Sequence, residues 1–219
     1  MFTSCNSLTK APELPATSLG DNCYYEMFGW CAGLVEPPSV LPATTLKQKC
    51  YYGMFRNCPS LESAPELPAT TLAKECYLRI FFDCSSLVEP PSLPANTLAE
   101  GCYDFMFFRC YSLSGTPELT ATTMAKKCYN GMFYDCTSLT SAPELPATTL
   151  AEECYSQMFY GCSSLSSIKI AYTGNFSGQD VPTNAFANWV NGVSADGTFY
   201  YDGTDTSTGT SAIPTGWTV

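Results

Sequence analysis

Residues 154–165 read CYSQMFYGCSSL, and close copies stand at 128–139 (CYNGMFYDCTSL) and 50–61 (CYYGMFRNCPSL). Two cysteines eight residues apart enclose a Met-Phe pair each time. The first cysteine of each pair is Cys23, Cys50, Cys76, Cys102, Cys128 or Cys154, so the step is 27 residues once and 26 thereafter. The single longer step comes from one extra residue near Val40. A constant period of this length marks a solenoid, whose units bury their apolar faces by stacking on their neighbours.

Each unit divides in two. SLTSAPELPA (138–147) is rich in Pro and Ser, with Leu139, Ala142 and Leu145 as its recurrent apolar positions. It reads as a short extended segment or strand, kept brief because Pro143 and Pro146 donate no ladder hydrogen bond. TTLAEECYSQMFYGC (148–162) reads as a short helix. Thr149 with Glu152 has the spacing of a capping box, as do Thr97 with Glu100 and, more loosely, Thr45 with Gln48. Leu150, Cys154, Tyr155, Met158, Phe159 and Cys162 fall at helical spacings, and Gly161 supplies a stop. Strands about 4.8 Å apart beside helices that prefer about 8–10 Å predict a curved stack with strands on its concave side.

MFYGCSSLSSIKI (158–170) resembles the bacterial BspA-like leucine-rich repeat, whose units run roughly AFxxCxSLxxIxIP, and the other units resemble its longer APELPATTL variety. The resemblance covers residues 1–170. It implies an α/β solenoid, a right-handed curved leucine-rich-repeat stack of short parallel strands and short helices. It also implies an exported or surface-attached protein engaged in adhesion, binding a protein or a glycan on a host or neighbouring cell surface without catalysis. Most units depart from the family by carrying APELP where it has a hydrophobic strand.

Met1-Phe2 falls on the repeat position of Met27-Phe28, so residues 1–170 open with a truncated unit before the six full ones. The chain reads as a piece of a longer protein whose export signal would precede it, and end-to-end self-association through that uncapped first repeat is expected. Residues 171–219 leave the period and read as a capping region, with a helix over 181–193 and a strand over 197–203. The ending IPTGWTV resembles those of gut-bacterial and of phage-associated repeat proteins.

The thirteen cysteines admit three readings. Within a helical pair the thiols stand about 12 Å apart along the axis, beyond the roughly 7 Å Cα reach of a disulfide. A spacing of eight also fails the usual zinc pattern. The favoured reading is a small apolar core residue: Cys128, Met132, Phe133, Cys136, Cys154, Met158, Phe159 and Cys162 would fill the stack. Disulfides between units and a metal site remain the alternatives. Paired threonines such as Thr148-Thr149 read as helix caps rather than an ice-binding array. Glu13, Glu66, Glu118 and Glu144 form a column expected to face solvent.

Aromatic side chains are the candidate ligand contacts. Tyr25 and Tyr52 stand in a column that changes character along the stack, continuing as Leu78, Asp104, Asn130 and Ser156. Phe82, Phe108, Tyr134 and Tyr160 form another, each following a core Phe.

A net charge of −10 with ten Lys and Arg and no His argues against nucleic acid, which is held by phosphate neutralisation. No apolar run of about 18 residues exists to enter a membrane. Without His there is no Ser-His or Cys-His dyad, so catalysis, cofactor and metal are not expected. A structural spacer in a larger surface protein or phage fibre is the alternative function, and a carbohydrate-active enzyme the remote one.

Overall fold

The computed structural model describes residues 2–219. Among them there is no helix. The regular elements are two strands, β1 (Ser167–Ile170) and β2 (Thr198–Tyr201), paired in parallel with Ser167 opposite Thr198 and Ile170 opposite Tyr201. The expected α/β stack, the right-handed leucine-rich-repeat form with one short helix per unit, is therefore corrected. The chain coils at the expected period, but its coils are built from turns.

Segment 49–57 shows what replaces the helix. Alternate N–H groups reach across to the next coil: Lys49, Tyr51, Gly53, Phe55 and Asn57 donate to the carbonyls of Lys74, Cys76, Leu78, Ile80 and Phe82 at 2.7–3.1 Å. The N–H groups of Tyr52, Met54 and Arg56 instead close turns on the carbonyls of Lys49, Tyr51 and Gly53 at 3.0–3.3 Å. One residue in four is left-handed: Lys49, Gly53 and Asn57 have φ of 53°, 54° and 57°. The same ladder recurs at 75–83, 101–109, 127–135 and 153–161.

Spacing explains the choice. The core rings of consecutive coils, Phe55 on Phe81 and Phe81 on Phe107, stack at 5.8 and 5.7 Å. Helices about 10–12 Å across do not fit at that separation. A helix would also engage every N–H internally, leaving none to join coils. A non-glycine residue in the left-handed region costs about 1–2 kcal/mol, set against hydrogen bonds contributing about 0.5–1.5 kcal/mol each and a continuous apolar core.

The ladder has a period of four. Cys50, Tyr51, Met54, Phe55 and Cys58 are wholly buried, whereas Tyr52, Arg56 and Asn57 are half-buried. Phe2 stacks on Phe28 at 5.5 Å, in the repeat position expected for it; Met1 lies outside the described residues.

Across the coil, the proline-rich side makes only isolated parallel bridges, among them Lys10 with Glu36, Val40 with Glu66 and Thr45 with Thr71. Prolines interrupt the donors a strand needs. Only where SIKI replaces APELP does a strand, β1, form.

The sequence period stops at Ile170, but the ladder does not. Glu153, Tyr155, Gln157, Phe159 and Gly161 donate to the carbonyls of Thr183, Ala185, Ala187, Trp189 and Asn191. Asn184, Asn188 and Gly192 take the left-handed positions. The helix expected over 181–193 is thus a further coil of turns. A tail closes over it: Val190 N–H donates to Thr210 O at 3.2 Å and Trp189 Nε1 to Ala212 O at 2.9 Å. The strand expected near 197–203 is present as β2.

Candidate functional surface

The inward columns have a structural task. Cys128, Met132, Phe133, Cys136, Cys154, Met158, Phe159 and Cys162 are all wholly buried. The second cysteine of each pair has a specific partner. The thiols of Cys110, Cys136 and Cys162 donate to the carbonyls of Phe81, Phe107 and Phe133 in the preceding coil at 3.2, 3.0 and 2.9 Å. The Phe107 carbonyl also accepts the Cys110 N–H at 3.1 Å, so the thiol occupies its second lone pair. A small, weakly donating apolar side chain meets this demand inside a dry stack. Burial pushes the Cys50 and Cys154 thiols up to about 11 and those of Cys58 and Cys76 up to about 12. All thirteen cysteines are free thiols, with Cys5 and Cys23 exposed. Among the described residues no group of three His, Cys, Asp or Glu side chains is placed to hold a metal ion.

Tyr51, Tyr77, Tyr103, Tyr129 and Tyr155 form a second buried stack, with neighbouring rings 5.7–6.1 Å apart. The outward aromatics behave differently. Tyr25 is 43% exposed and stacks on half-buried Tyr52 at 4.5 Å. Phe82, Phe108, Tyr134 and Tyr160 are half-buried and stack in sequence at 4.2, 4.8 and 4.4 Å. Mutual stacking covers the faces of the inner rings, leaving their edges outward. These candidates therefore form two strips, not one pocket.

Guanidinium groups that the spacing argument did not single out join the longer strip. Arg56 is paired with Glu26 at 2.7 Å and lies 4.2 Å from the Trp30 ring. Arg109 is paired with Asp135 at 3.4 Å and lies 5.0 Å from the Phe108 ring. Among the described residues Arg79 forms no ion pair and its buried Nε has no hydrogen-bond partner; it lies 5.5 Å from Phe82 and 5.7 Å from Phe105. Distances under about 6 Å are in cation–π range.

In the changing column, the Asn130 Nδ2 donates to Asp104 Oδ1 at 2.8 Å. Burial raises the Asp104 carboxyl to about 7, against the opposing effects of Asn130, Lys127 and Arg79.

The threonine column needs a new account, because there is no helix to cap. Thr44, Thr45, Thr70, Thr71, Thr122, Thr123, Thr148 and Thr149 are exposed. Thr45 bridges to Thr71 and Thr123 to Thr149 through the backbone. Glu13, Glu66, Glu118 and Glu144 are exposed; Glu144 pairs with Lys169 at 3.0 Å, and Glu13 accepts hydrogen bonds from Ser39.

No family model, no curated protein and no solved structure matches the chain.

Proposed function

We propose that the chain is a non-enzymatic recognition scaffold, binding a protein or a glycan at a cell surface through the outward faces of its coils. The observation that carries this reading is the strip running from Arg79 through Phe82, Phe108, Tyr134 and Tyr160. Its core-facing neighbours repeat from coil to coil, while the strip changes from Arg56 through Phe82 and Phe108 to Tyr134 and Tyr160; the column from Tyr25 to Ser156 is outward only toward its Tyr25 end, because Asn130 and Ser156 are buried. Among the described residues Arg79 is in no ion pair, and Asp104 feels its charge only from outside salt-bridge distance; in a chain of net charge −10 this suits an acceptor supplied by a partner. Arginine and aromatic side chains are also the types that dominate binding energy at interfaces. The BspA-like resemblance supports an exported, adhesive setting, extracellular or at the cell surface.

An array of cell-surface proteins and glycans tests the proposal. At least one probe is expected to be retained by the folded protein and to be weakened by Arg79→Ala and Phe108→Ala. Silence across the array by a folded sample would favour the structural spacer.

A further inference from the structure

A shallow groove of about 530 Å³ crosses the coils from Ser4 and Asn6 past Trp30 to Tyr111. Asn57, Asp83 and Ser85 line it in the coils between those two rings. Trp30 and Tyr111 belong to coils three steps apart and are 38% and 40% exposed. Neither ring is stacked on another aromatic, unlike Phe82, Phe108, Tyr134 and Tyr160.

Trp30 is also held at φ 58°, in the left-handed column that other coils fill with Asn57, Asp83, Arg109, Asp135 and Gly161. The ladder accounts for that backbone, since the Trp30 N–H donates to the Arg56 carbonyl at 2.8 Å as its equivalents do in other coils. What is particular to Trp30 is a large ring left 38% exposed at a place where other coils carry small or polar side chains. One side of Trp30 is engaged by the Arg56 guanidinium, itself neutralised by Glu26.

The lining between the rings is polar without being basic. Asn57 Nδ2 donates to Asp83 Oδ2 at 3.0 Å and the Ser85 hydroxyl donates to the Pro59 carbonyl at 3.4 Å, which leaves the remaining carboxylate oxygen and the Ser85 oxygen to accept from further hydroxyl groups. Asp83 disfavours an anionic occupant, and among the described residues no cation lines the groove. We infer that this groove binds a neutral oligosaccharide. The apolar C–H faces of its sugars would rest on Trp30 and Tyr111, and its hydroxyls would bond to Asn57, Asp83 and Ser85. The inference rests on the recognition reading and narrows it to one ligand class and one place.

Trp30 makes the test direct, because Trp189 and Trp217 are buried in the C-terminal region. Intrinsic fluorescence would be titrated with neutral cello-, manno-, xylo-, malto- and chito-oligosaccharides, with sulfated and sialylated glycans, and with acidic and neutral peptides. A neutral oligosaccharide is expected to shift Trp30 emission. Tyr111→Ala and Asp83→Ala, followed by the same emission, should each weaken binding about tenfold, the scale of one lost ring contact for the first and of one lost hydrogen bond to a charged group for the second. Trp30→Ala, followed by calorimetry, should do the same, whereas Tyr200→Ala, at an exposed ring outside the groove, should leave affinity unchanged. Absence of binding by every neutral oligosaccharide, stronger binding of the anionic glycans, or a Trp30-dependent signal from peptides alone would overturn the inference. An array partner lost with Phe108→Ala, together with no response of Trp30 emission to any neutral oligosaccharide, would overturn the groove and leave the scaffold standing.

Discussion

Gly101 and Lys127 occupy equivalent left-handed positions in adjacent coils, with φ of 59° and 57°. A Cβ added to Gly101 would meet Glu75 Cγ at 3.2 Å and Asp104 Cβ at 3.9 Å, contacts a flexible side chain can relieve. Gly101→Ala therefore tests backbone conformation with little steric confusion. Left-handed alanine costs about 1–2 kcal/mol, and the reduced freedom of the unfolded chain returns about 0.4–1 kcal/mol. The ladder thus predicts a net loss of about 1 kcal/mol. A helix at the same place predicts a gain of about 1 kcal/mol. Lys127→Gly inverts the logic. It relieves strain but adds chain entropy and removes an exposed pair with Glu153 at 3.2 Å, so the ladder predicts a change near zero. A helix predicts a loss of about 1 kcal/mol. Urea and thermal unfolding of both variants, at about 2–4 °C per kcal/mol for a chain of this size, give the two signs. A stabilised Gly101→Ala with a destabilised Lys127→Gly would refute the turn ladder.

Three further outcomes follow from the same geometry. A thiol reagent should modify exposed Cys5 and Cys23 in the folded protein, and the other eleven cysteines only as it unfolds; rapid native labelling of Cys50 or Cys154 would contradict their burial. Asp104 titrates near 7 in the folded state against an ordinary 3.8, so the folded protein binds the extra proton between those values. Its contribution to stability is present at low pH and is lost as pH rises through that window. Asp104→Asn should flatten this component, seen as urea midpoints that converge with wild type at acid pH and differ above neutrality. Thr149→Ala should change stability by less than about 0.5 kcal/mol, as at an exposed surface site; a loss near 1 kcal/mol or more, typical of a removed helix cap, would revive the helix.

Much of this architecture was legible in the residues. The 26-residue period located the coils, and the Cys, Tyr, Met and Phe columns located the core. Helix and ladder could not be separated by apolar spacing, for a geometric reason. Cys154, Tyr155, Met158, Phe159 and Cys162 lie within about 140° of arc on a helical wheel, yet they equally form the inward half of a four-residue period. The distinguishing residues were the outward ones. Gly53 with Asn57, Gly131 with Asp135, and Asn184, Asn188 and Gly192 recur every fourth place, and these are the types that tolerate positive φ. Lys49, Arg79 and Phe105 occupy the same positions in other coils and hide the pattern. The capping boxes misled because Thr149 and Glu152 carry the right spacing without a helix between them. The prolines were informative in the opposite way, since they foretold a weak strand side and left β1 as the unit that escapes it. Of the candidate surface, the aromatic columns were readable from spacing. Arg79 and the pairing of Trp30 with Tyr111 across three coils emerged only once the stack was assembled.

Backbone resonance assignment of residues 124–136, with φ-sensitive couplings and hydrogen-bond couplings, separates a turn ladder from a helix residue by residue. The turn ladder predicts positive φ at Lys127, Gly131 and Asp135, separated by residues of negative φ, and a through-bond coupling from the Phe133 N–H to the Met158 carbonyl, 2.9 Å away. Uniform helical shifts across the segment, with each N–H coupled to the carbonyl four residues earlier, would contradict it.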